Sequence, residues 1–102
     1  MLLENLQKAL KKRFGCDWSF KINKEETMLT MENDEDCRLS VNFFPHVDTK
    51  TEEVEEICID ISGKLPNGQW FTLNIHDVKP TIEDCLANEQ KLWETFKKLA
   101  SL

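Results

Sequence analysis

Six side chains in this sequence carry thiol or imidazole chemistry: Cys16, Cys37, Cys58 and Cys85, with His46 and His76. A thiolate facing a histidine is a nucleophile, and thiolates with imidazoles are also the ordinary ligands of zinc. The cysteines stand 21, 21 and 27 residues apart. No two of them share the C-x2-C turn that presents a pair of thiolates to one metal. The expectation is four reduced thiols serving as small apolar residues, with no disulfide, no metal and no cofactor. His76 precedes Asp77, but neighbours on a strand point to opposite faces, so the two do not form a built dyad. A Cys–His pair can arise only through folding, and the spacing selects none. Gly15, Gly63 and Gly68 all fit turn or cap positions, which leaves no phosphate-cradling loop. The acidic run at 32–36 lacks the central glycine and alternating ligands of a calcium loop. The chemistry-bearing residues therefore point away from an enzyme.

Charge is the stronger signal. The chain has 19 acidic and 13 basic residues, a net of −6, which argues against direct nucleic-acid binding, since that wants a basic footprint. Between residues 24 and 60 there are 12 acidic and 3 basic residues, a net of −9, while the rest of the chain carries 7 acidic and 10 basic, a net of +3. The negative excess is confined to the middle of the sequence.

The elements that position these residues follow from periodicity. Leu, Ile, Val and Phe supply 28 of 102 residues, enough for one core and one α+β domain over 1–102. Leu3, Leu6, Leu10 and Phe14 recur at helical spacing, with Lys11, Lys12 and Arg13 in the last turn and Gly15 as the stop. The period then switches to two. Residues 16–22, 27–31, 37–44, 56–62 and 70–76 read as strands, with Pro45 ending the third. Parity keeps apolar residues together if Phe20 faces Leu29 and Leu29 faces Val41. A loop of Pro66, Asn67 and Gly68 sets Ile61 against Leu73 and Ile59 against Ile75. A final helix starts at Thr81, with Ile82, Cys85, Leu86, Leu92, Trp93, Phe96 and Leu99 on its apolar side and Glu89 among its solvent-side residues. The order is α-β-β-β-β-β-α, an antiparallel five-strand sheet with the N- and C-terminal helices packed on one face.

Two surfaces remain as candidates. The first is an acidic edge formed by Glu32, Asp34, Glu35, Asp36, Glu52, Glu53, Glu55 and Glu56, suited to docking a protein partner with a basic surface. The second is the sheet face away from the helices, where Met28, Phe44, Cys58 and Trp70 form an apolar interface. The expected function is that of a small acidic, non-enzymatic protein-binding module, in its most concrete form an inhibitor or immunity-type protein that docks a basic nucleic-acid-handling partner. The alternatives are a dimeric chaperone or adaptor using the bare face as a homodimer interface, and a small-ligand binder or enzyme with a pocket between sheet and helices. No apolar run spans a bilayer and no secretory signal is recognisable, so a cytoplasmic location is expected.

Overall fold

The computed structural model describes residues 2–15, 18–33, 39–65 and 67–101. The element order is α1 (Leu2–Phe14), β1 (Ser19–Ile22), β2 (Leu29–Asn33), β3 (Leu39–Val47), β4 (Val54–Lys64), β5 (Trp70–Val78) and α2 (Ile82–Ala100). The strands form one antiparallel sheet in sequence order, β1-β2-β3-β4-β5. Helix α2 packs on β4 and β5, and α1 packs on α2 and β1. Both helices lie on one face, as the sequence predicts, and among the described residues no element covers the other. No helix among the described residues is long and apolar enough to cross a membrane.

The core lies between sheet and helices. Leu29, Met31, Leu39, Val41, Phe43, Ile57, Ile59 and Ile61 contribute from the strands, and Leu3, Leu6, Leu10, Cys85, Leu92 and Phe96 from the helices. Phe20, Leu73 and Ile75 are partly buried against this cluster. Aromatic rings extend it along one side, with Phe71 stacked on Phe96 at 5.0 Å and Phe96 on Trp93 at 5.6 Å between centroids. Gly63, expected in a turn, instead sits within β4 opposite Phe71. A Cβ there would meet Leu39 at 3.0 Å and Phe96 at 3.1 Å, so its lack of a side chain lets α2 approach the strand.

Register agrees with expectation in one hairpin and differs in two. Ile61 faces Leu73 and Ile59 faces Ile75. The loop is closed by Gly68 N–H donating to the Leu65 carbonyl, with Gly68 at φ +91°, a backbone conformation glycine adopts without strain. In the first hairpin Phe20 faces Met31 rather than Leu29, and in the second Leu29 faces Phe43 rather than Val41. Both are two-residue slips, which preserve the buried face. Asn23 explains the first: its side chain accepts from the backbone N–H groups of Thr27 and Met28, and its own N–H donates to the Met28 carbonyl. That Asx-type cap closes the turn one position later than the strand pattern suggests.

Pro45 does not end β3, which runs on to Val47. On one side β2 reaches only to Leu29 opposite Phe43, while on the other Pro45 still faces Ile57. Beyond Phe43, β3 is an edge toward β2, and an edge tolerates a residue with no N–H. The expected first strand also covered Cys16 and Asp17, which lie outside the described residues, as does Cys37 at the start of the expected third strand.

Glu89 departs most from expectation. It is 1% exposed, among the core side chains, instead of facing solvent. Its Oε2 is 3.1 Å from Arg13 Nη1, so the last turn of α1 is ion-paired to the middle of α2. Burial pushes the Glu89 carboxyl up to about 7 despite the opposing pull of Arg13.

Candidate functional site on the open sheet face

Strand pairing orders the open face into rows of side chains. One row runs Lys21, Thr30, Asn42, Asp60 and Asn74. Within it Thr30 Oγ1 donates to Asn42 Oδ1, and Asn42 Nδ2 donates to Asp60 Oδ1, each at 2.8 Å. The next row runs Ser19, Glu32, Ser40, Ser62 and Thr72, with the last two hydroxyls 3.2 Å apart. On the other side of the Asn42 row, Phe44 faces Cys58. Met28, immediately before β2, takes the position opposite Phe44 when the Leu29–Phe43 pairing is carried one residue on. His46 faces Glu56 at the end of the sheet beyond them.

A β-bulge concentrates reactive groups at this end. Between Ile59 opposite Ile75 and Ile57 opposite Val78, β5 carries one residue more than β4. Asp77 occupies the extra position at φ +60°, a left-handed conformation that aspartate tolerates better than most residues. The bulge breaks the strand alternation, so His76 and Asp77 are both used. Cys58 Sγ lies 3.2 Å from His76 Nδ1, and the Asp77 carboxyl lies close enough to that of Glu56 to raise it. Folding thus builds the Cys–His pair that spacing alone could not select. It also couples Asp77, through Glu56, to the strand that carries Cys58.

Electrostatics determine what this cluster can do. Desolvation, then the charges of Asp60 and Glu56, hold the Cys58 thiol above its ordinary range. A catalytic cysteine needs the reverse, a depressed pKa that yields thiolate. Cys58 stands as a protonated, partly accessible thiol in contact with an imidazole, a soft donor pair in an acidic setting. The neighbouring Asp77 side chain raises the Glu56 carboxyl most, with desolvation and the Asp77 charge adding to it and His46 opposing. Cys85, the other described free cysteine, is buried at the sheet–helix interface, and burial pushes it up to about 11. It behaves as the apolar filler the sequence suggests.

The residues expected to form one acidic edge are spread apart. Glu32 is exposed in the row of Ser40 and Ser62, and Glu56 lies three rows away opposite His46. At about 6.7 Å per two residues of strand, that is roughly 20 Å. Glu52, Glu53 and Glu55 are exposed near Glu56, in the β3–β4 loop and the start of β4. Asp34, Glu35 and Asp36 lie outside the described residues. The apolar set divides in the same way. Met28, Phe44 and Cys58 lie together and are half-buried, whereas Trp70, 59% exposed, pairs with Lys64 three rows from Cys58, beyond two polar rows. A groove of about 530 Å³ runs over β1 and β2, bordered by Ser19, Lys21, Asn23, Met28, Thr30 and Glu32.

Charge also separates by layer. The two helices hold five acidic and seven basic residues, so the −9 of residues 24–60 belongs to the strands and their connections. No protein-family model matches the chain, and neither a curated protein nor a solved structure matches it.

Proposed function

We propose that this chain is a non-enzymatic protein-binding module that receives a basic partner on the open face of its sheet, at the end carrying Phe44, Cys58 and Glu56. The observation that carries this reading is the uncovered half-buried strip of Met28, Phe44 and Cys58, bordered by Asp60, Glu56 and Asp77 and adjoining Glu52, Glu53 and Glu55. An apolar anchor beside several carboxylates suits a partner that presents an aliphatic or aromatic side chain among lysines and arginines. The raised thiol of Cys58 favours recognition over nucleophilic chemistry. A basic nucleic-acid-handling protein, blocked by occupation of its binding surface, is the partner class that fits the charge; on that reading the chain is an inhibitor or immunity-type protein.

The test uses a partner identified by cross-linking and then purified, with association measured across a salt series. Neutralising Glu52, Glu53, Glu55 and Glu56 to Gln should slow association mainly at low ionic strength, where the Debye length is longest. Phe44→Ser should weaken binding at every salt concentration, and Trp70→Ser, at the far end of the face, should leave it unchanged. A partner that binds all three variants like the wild type overturns the proposal. A partner sensitive only to Trp70→Ser overturns the assignment to this end.

A further inference from the structure

We infer that the outer edge of β5 is a pairing edge for a second copy of this chain, the two β5 strands joining antiparallel about a two-fold axis at Leu73 to make one continuous sheet. In the order β1-β2-β3-β4-β5, β5 is bonded to β4 on one side, and among the described residues no strand pairs with its other side. Such an edge presents a row of N–H and C=O groups, and the partner that satisfies the whole row is another extended backbone. Natural sheets blunt exposed edges with lysine, proline, a bulge or a very short strand. The opposite edge is blunted in this way, since β1 is four residues long and includes the exposed Lys21. From Trp70 to Ile75, β5 has none of these devices, and its bulge comes only beyond Ile75.

Charge and side-chain pattern select a second copy as the occupant. Residues 65–76 are the longest stretch of the sequence without Asp, Glu, Lys or Arg. Copies of a chain with a net charge of −6 repel one another, and at this edge they meet without setting carboxylate against carboxylate. The edge is also self-complementary. With the helices of both copies on the same side of the joined sheet, the axis is perpendicular to it and opposed residues share a face. Leu73 then faces the partner's Leu73, Phe71 faces the partner's Ile75, Thr72 faces the partner's Asn74, and Trp70 faces the partner's His76. Phe71, Leu73 and Ile75 are only half-buried, whereas Ile57, Ile59 and Ile61 of β4 are fully buried. The apolar row thus stops unfinished at β5, and the second copy continues it. Trp70, 59% exposed, gains cover in the same step. The pairing consumes both β5 edges and leaves only the short β1 edges outside, so assembly closes at two chains. The open face stays free, and none of this depends on the docking reading above.

Sedimentation velocity of the full-length reduced chain across a concentration series should show a monomer–dimer equilibrium. Hydrogen exchange on the same samples should show β5 amides gaining protection as the dimer forms, a readout that needs no variant. Thr72→Lys combined with Asn74→Lys sets lysine opposite lysine twice and should weaken the dimer about tenfold. It does so while removing two units from the net charge of −6, a change that by itself favours association. Thr72→Glu combined with Asn74→Lys sets opposite charges in the same two places and should restore the dimer. Both positions are exposed, so each double variant should melt like the wild type at dilution. Phe44→Ser, on the open face, should leave the dimer intact. The inference is overturned if the chain stays monomeric throughout the series, if the double-lysine variant dimerises as tightly as the wild type, or if the Glu–Lys variant fails to recover. A dimer lost with Phe44→Ser but kept by the double-lysine variant places the second copy on the open face, and β5 amides protected in a monomer place a segment of the same chain on the edge; either result overturns the inference as well.

Discussion

Phe43 and Phe44 are the same residue type on consecutive positions of one strand, and they belong to different environments. Phe43 is fully buried between sheet and helices, in contact with the cluster that includes Ile59 and Leu29. Phe44 is half-buried on the open face beside Cys58. Side-chain alternation alone separates them. The covered face is nearly all aliphatic and aromatic, and the one buried charge among the described residues, Glu89, is paired. The open face has hydrogen-bonded hydroxyl, amide and carboxylate rows and reactive groups at one end. One face supplies the cohesion of the domain, and the other is left with surface chemistry that stability does not require.

The largest effect expected from this contrast lies at Phe43. Phe43→Ala removes a fully buried ring and leaves a cavity in a close-packed core, which should cost about 3–5 kcal/mol, a large part of the stability of a small domain. Urea denaturation monitored by circular dichroism measures it. A midpoint close to that of the wild type would mean that the helices do not cover this face.

Glu89 gives an effect of intermediate size and sharpens the view of the covered side. Its carboxyl lies at about 7 in the fold against an ordinary 4.5. Between those values the folded state holds more protons than the unfolded chain, so this group's contribution falls as pH rises from about 4.5 to 7 and is flat above. A shift of this size corresponds to a change on the order of 3 kcal/mol. Glu89→Gln mimics the protonated form and should flatten the slope, gaining stability relative to wild type above pH 7. Denaturation midpoints of both proteins from pH 4.5 to 8 check this, and parallel curves would rule out a buried, titrating Glu89.

The sequence displays the two faces more clearly than it displays the site. Parity in the strands and helical spacing in Leu3, Leu6 and Leu10 place the core, because burial acts on every second or every third to fourth residue. Register is legible where a turn admits one solution, as at Gly68. It is not legible where a two-residue slip keeps apolar residues together, and there the Asn23 side chain decides. Glu89 follows Cys85 by four and precedes Leu92 by three, so helical spacing already marks it as inward-facing; its charge conceals that until Arg13 is brought beside it. The Cys58–His76 pair depends on a bulge at an aspartate in a left-handed conformation. No glycine marks that bulge, so nothing in the pattern of residues announces it. The acidic residues are close in sequence, but an antiparallel sheet sends Glu32 and Glu56 to opposite ends of the open face.

The smallest expected effect is at Phe44, and it tests the comparison most directly. Phe44→Ala deletes the same atoms as Phe43→Ala, one residue along the chain. Phe44 keeps part of its surface in water in the folded state, so less apolar area returns to solvent on unfolding, and no closed cavity forms because water fills the vacated position. Its remaining contact is with neighbours such as Cys58 across the strand pair, and a cross-strand pair contributes roughly 0.2–1 kcal/mol relative to alanine. The expected cost is therefore about 1 kcal/mol or less, several-fold below that at Phe43, with an unchanged denaturant slope, because the surface exposed on unfolding hardly alters. Equal costs at the two positions would show that something covers the open face in solution. Measuring Phe44→Ala at two protein concentrations separates the causes: a cost that grows with concentration points to a second copy seated on Phe44, and a concentration-independent cost points to coverage from within the chain.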